Sequence, residues 1–137
     1  MSYAVRRSNG ARGSAQAYRS IGLETQVMSA SPEKLITLLF DGARAAIAHA
    51  RLYLEQENVA ARGQAISKAL DIVDNGLKAS LDLEKGGEVA KNLQAVYEIV
   101  SHNLLLANLN ADMQRLDLAD RLLADIGEAW RTATAAA

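Results

Sequence analysis

Ser29–Ala43, reading SASPEKLITLLFDGA, decides the fold of this chain. Ser31 can cap the orphan N–H groups of a first helical turn. Pro32 suits the first helical position, where its missing N–H costs nothing. Glu33 sets negative charge on the positive helix end. Lys34 holds the place a capping-box Glu would need, so the start is a simple cap. Beyond it, Ile36, Phe40, Ala43, Ile47, Ala50 and Leu54 recur at steps of three and four. That spacing is one face of an α-helix. A second apolar line, Leu35, Leu39, Ala46 and Tyr53, runs beside the first. The stripe is wider than one core contact needs, and the excess predicts apolar surface left for a partner.

The helix predicted from Pro32 to about Gln56 is followed by a break near Glu57 and Asn58. A second helix runs to about Leu83 on Val59, Ile66, Leu70, Val73, Leu77 and Leu81. Gly63 and Gly76 cost this helix stability and would permit close approach of a neighbour. Gly86 suits a positive-φ helix end. A third helix begins near Gly87 or Glu88 and ends near Asn110, with Val89, Leu93, Val96, Val100, Leu104 and Ala107 inside. After a turn around Asn110–Asp112, a fourth carries Leu116, Ala119, Leu123, Ile126, Trp130 and Ala133. The periodicity places Trp130 in the core. Four helices with short connections predict an all-α, antiparallel up-down four-helix bundle.

With 137 residues the chain implies one domain. Half of it is apolar and only 4% aromatic, so alanine and leucine carry the core, which favours packed helices over sheets. Cysteine is absent, which excludes disulfides, thiol catalysis and thiolate zinc sites. No run reaches the ~18 apolar residues of a membrane span. Arg6, Arg7, Arg12 and Arg19 give residues 1–20 a charge of +4 with no acid. The rest holds 11 basic against 16 acidic residues, a mildly acidic body unsuited to nucleic acid or anionic lipid. Residues 1–16, rich in Ser, Gly, Ala and Arg, predict a disordered basic tail, and residues 17–137 a single domain. Ala17–Met28, with Tyr18, Ile21, Leu23, Val27 and Met28, predicts a short segment lying on that domain. The polar run after Arg6-Arg7 lacks the apolar region of a cleaved signal, which leaves the expected location cytoplasmic.

No chemistry-bearing motif emerges. A di-iron bundle needs Glu-x-x-His units. Ala46 and Ile99 stand three residues before His49 and His102, so neither unit exists. Glu98 and His102 are spaced as an exposed helix pair. Nucleophile elbows, phosphate loops and Gly-rich cofactor turns are missing. Asp41, within the first stripe, is expected to be partly buried, as a structural group more than a catalyst. The sequence therefore predicts no enzyme, no metal and no cofactor. It predicts a binding protein, in which Gly42, Ala43, Ala45 and Ala46, with Ala65, Ala69 and Gly76, form shallow grooves for an amphipathic helix.

SASPEKLITLLFDGA, preceded by Ala17-Tyr18 and followed by Gly86-Gly87-Glu88, Asn92-Leu93, Ala107-Asn108 and Trp130, resembles the FliS family of flagellin-specific export chaperones. The resemblance implies a four-helix bundle that binds the disordered C-terminal segment of flagellin in apolar grooves. It further implies that binding prevents premature polymerisation and assists delivery to the flagellar type III export gate. It places Leu39, Phe40, Ala43, Ile47, Asn92, Leu93, Ala107 and Asn108 at the flagellin groove. Tyr18, with Ile21 and Val27, would cover part of that groove when flagellin is absent. The alternative reading is a self-associating or regulatory helical module with another helical partner. The free chain is then expected as a monomer or a homodimer.

Overall fold

A computed structural model of the chain describes residues 30–135. The expected tail, the Ala17–Met28 segment and Tyr18, Ile21 and Val27 lie outside the described residues. Four α-helices follow one another: α1 (Pro32–Glu55), α2 (Val59–Asp71), α3 (Leu83–Asn110) and α4 (Met113–Ala135). A π-helical segment, Ile72–Lys78, continues α2. Together they form the four-helix bundle that the periodicity predicts.

Each start has a side-chain cap. Ser31 accepts from the Lys34 N–H at 3.2 Å, with Pro32 in the first turn as expected. Asn58 accepts from Ala61 N–H, Asp82 from Glu84 and Lys85, and Asp112 from Gln114 and Arg115. The turn after α1 is closed by Glu57 at φ 57°, with Asn58 N–H donating to Tyr53 O at 2.9 Å. Ala111 at φ 50° repeats the device after α3, with Asp112 N–H donating to Ala107 O. In both, a left-handed residue satisfies helix-end carbonyls and reverses the chain in a few residues.

The predicted second helix departs most from expectation. Its α-helical part stops at Asp71, and the π-helical turn carries the chain only to Lys78. Its Ile72, Val73, Gly76 and Leu77 are all buried, as are Ser80 and Leu81 just beyond it. The i→i+5 ladder of the π turn shifts the helical register, which no apolar spacing in the sequence announces. The Ser80 hydroxyl donates to Gly76 O at 2.6 Å, and the Ser101 hydroxyl donates to Asp74 at 2.6 Å, tying the segment to α3.

Helical hydrogen bonding in α3 begins at Leu83, but Gly87 (φ 54°, ψ −134°) breaks it. The long run of α3 thus starts where the sequence placed it. The positive-φ residue is Gly87, however, and Gly86 is not. Gly63 meets no close neighbour: a Cβ there would find Asn108 Nδ2 at 3.9 Å, an ordinary contact.

The core centres on Ile36, Leu39, Phe40, Ala43 and Ile47 of α1, with Tyr97, Leu104, Leu116 and Leu123 from the later helices. Both apolar lines of α1 are used here. Leu39 and Ala46 are buried, because α1 packs against α2 and the π segment on one flank and α4 on the other. Its broad stripe is therefore bundle core, a correction to the expectation of spare partner surface. Asp41 is exposed and pairs with Arg131 of α4, a second correction. Two further ion pairs join the same helices, Arg51–Asp117 and Arg44–Asp120, each at 2.9 Å. The hydrogen-bonded Asp120 carboxylate raises the Arg44 pKa above its ordinary value. No helix among the described residues is long and apolar enough to cross a membrane.

Candidate partner-binding groove

The inward stripes of α3 and α4 stay periodic along both helices, but their cover does not. On α4, Leu116, Ala119 and Leu123 are fully buried, whereas Ile126 and Trp130 are half-buried and Ala133 is exposed. On α3, Val100, Leu104 and Ala107 are buried, Leu93 is half-buried and Val89 is 61% exposed. These helices run antiparallel, so the uncovered start of α3 faces the uncovered end of α4. Between them opens an apolar groove of about 280 Å3, lined by Phe40, Val89, Leu93, Ile126, Ala129, Trp130 and Ala133.

Two contacts give the groove fixed boundaries. The Trp130 indole N–H donates to Glu33 O at 3.1 Å, holding the wall against the first turn of α1. Phe40, 1% exposed, lies at the floor with its ring centroid 6.4 Å from that of buried Tyr97. Beyond Ala129 and Ala133 the surface continues as a shallow depression with Asp125, Glu128 and Thr132. An apolar slot thus carries an acidic shoulder. Among the described residues no group of three or more His, Cys, Asp or Glu side chains is arranged to hold a metal ion.

The residues singled out in the sequence divide. Phe40 and Leu93 come together in the groove. Leu39, Ala43, Ile47 and Ala107 are fully buried in the bundle core. Asn92 is exposed on α3, next to Leu93. Asn108 is half-buried and engaged: the Arg62 Nε donates to its side-chain oxygen at 3.1 Å and Nη2 to its carbonyl at 3.0 Å. It fastens α2 to α3 about 22 Å along the helix from Leu93. Trp130 is a groove wall as well as a core neighbour, which corrects its placement purely inside. Val89, Ile126, Ala129 and Ala133 were missed as groove residues. Periodicity marks a face but not where that face loses its cover.

Fold and groove define the class: a helical bundle with an apolar slot on its surface. The family model described as "Flagellar protein FliS" matches residues 14–137. The flagellar secretion chaperone FliS of Salmonella typhimurium is 53% identical over 116 residues, 85% of this chain and 86% of that protein. FliS of Escherichia coli is 41% identical, over 85% of each chain. The flagellar secretion chaperone FliSB of Pseudomonas aeruginosa is 38% identical, over 82% of this chain and 89% of that one. This chain belongs to the FliS family of flagellar secretion chaperones.

Proposed function

We propose that this chain is a cytoplasmic binding protein, not an enzyme, that holds the disordered C-terminal segment of flagellin before export. Binding keeps the subunit from polymerising early and assists its delivery to the flagellar type III export gate. The observation that carries this reading is the apolar groove between α3 and α4, open on a bundle whose family is that of secretion chaperones. An amphipathic helix can lay its apolar face into such a slot. A disordered client spends ordering entropy on binding, so contiguous apolar surface is needed to offset it. Leu93 would meet the client directly, over a floor formed by Phe40. Leu39, Ala43 and Ile47 would support the floor from within.

Tyr18, Ile21 and Val27 are proposed to cover the groove when the client is absent. Support comes from connectivity: Val27 stands six residues before Glu33, whose carbonyl is bonded to the groove's tryptophan. Calorimetric titration with a peptide of the last ~40 residues of the same bacterium's flagellin tests the reading, with strong binding and a large negative heat-capacity change expected. Equal affinity for full-length flagellin and flagellin lacking that segment would sink it.

One observation favours a second reading, self-association. From Ile99 to Asn110, α3 contains no Asp, Glu, Lys or Arg, and its Ile99, Leu105 and Leu109 are 49%, 57% and 78% exposed. Sedimentation of the free chain that depends on concentration, and is unchanged by the flagellin peptide, would support that reading over the first.

A further inference from the structure

Gly127 lies on α4 between the groove residues Ile126 and Trp130, and it is buried. A Cβ added there would stand 3.3 Å from Phe40 Cγ, 3.4 Å from Phe40 Cβ and 3.5 Å from Cδ1. Optimal carbon–carbon contact is ~3.5–4.0 Å, so any side chain at this position forces a displacement. Three directions are available, and two are opposed. Retreat of the ring into the core meets Tyr97, which is fully buried and tilted 50° to it. Withdrawal of α4 is opposed on both sides of Gly127. Asp120 holds Arg44 on one side, while Trp130 holds the Glu33 carbonyl and Arg131 holds Asp41 on the other. The remaining direction is the open volume that Phe40 borders, which is the groove itself.

We propose that Gly127 is the positioning residue that sets the depth of the partner groove. Its missing side chain lets the Phe40 ring sit back against the α4 backbone, and that seat creates the slot. A methyl group at 127 tips the ring outward and fills the floor. Trp130 is fixed to α1, so the wall cannot move to restore the depth. This inference rests on the reading of the groove as the client's site.

The test compares the full-length chain with Gly127→Ala and Ala119→Gly, titrating each with the flagellin C-terminal peptide. Ala119 is buried in the same helix but does not line the groove. Loss of a methylene's worth of room in an apolar pocket corresponds to about tenfold in affinity. Gly127→Ala should therefore bind about tenfold more weakly, and Ala119→Gly as tightly as the parent. The emission of Trp130, the single tryptophan, should shift in Gly127→Ala and stay fixed in Ala119→Gly. Phe40→Leu and Phe40→Leu/Gly127→Ala form the second pair. Leucine keeps the Cβ and Cγ that the added methyl meets but carries no ring to tip into the slot, so these two should bind equally. Parent-like affinity and emission in Gly127→Ala would overturn the proposal. So would a further tenfold loss within the Phe40→Leu pair, and that pair decides the matter if Gly127→Ala does not fold. Absence of binding by the parent chain would instead remove the client reading, and the depth-setting role with it.

Discussion

Gly87 and Ala111 show how single residues set the bundle's corners. Gly87, at φ 54° and ψ −134°, occupies a region open essentially to glycine alone. A Cβ there would touch nothing within 4 Å, so the obstacle is backbone strain and not space. Gly87→Ala should lower stability by about 1–3 kcal/mol, read from the urea midpoint. An unchanged midpoint would show that the kink relaxes without glycine. Ala111 is the converse case, an alanine in a left-handed cap. Ala111→Gly should raise stability by about 0.5–1 kcal/mol, because the relieved strain exceeds the added chain entropy. Sequence reading found the break at glycines 86 and 87 but assigned the positive φ to Gly86, where the structure has it at Gly87. Both are glycine, and only the chain's exit direction distinguishes them.

Among the elements, α1 and α4 are joined by the ladder Asp41–Arg131, Arg44–Asp120 and Arg51–Asp117. Every rung is at least partly exposed to solvent, so each contributes little alone. A double-mutant cycle on Arg44 and Asp120 should return about 0.5–1 kcal/mol, falling as salt is added. Raised coupling at high salt would contradict the exposure. The π-helical segment belongs at this scale too. Val73, Leu77 and Leu81 stand at the same four-residue spacing as Leu39, Ala43 and Ile47 of the α-helical α1, so apolar spacing does not separate the two geometries.

For the whole molecule, the core has no substitute for Phe40. It is one of the largest fully buried side chains and the one phenylalanine of the chain. Phe40→Ala should cost about 3–5 kcal/mol in thermal or urea unfolding, because four packed helices cannot collapse onto the vacancy. A loss confined to client binding, with stability unchanged, would place the ring outside the core. Deletion of residues 1–16 should leave the melting temperature where it is, since that stretch offers little apolar surface to bury. A large fall would mean that the tail is part of the folded unit.

What the amino-acid sequence determined by itself is local or periodic. It determined the capped start at Ser31, the helical content, the breaks near Asn58, Gly87 and Ala111, and the all-α bundle class. Each of these follows from one residue's backbone preference or from repeats of three and four. Tertiary structure decided which apolar residues are core and which are groove. Leu39 and Ile47 share the hydrophobic period of Ile126 and Trp130, yet the first pair is sealed while the second borders open space. Whether a face is covered depends on the neighbour opposite, and a helix's own sequence does not carry that information. The same reason hid Gly127, whose meaning lies in the Phe40 ring packed against it from another helix.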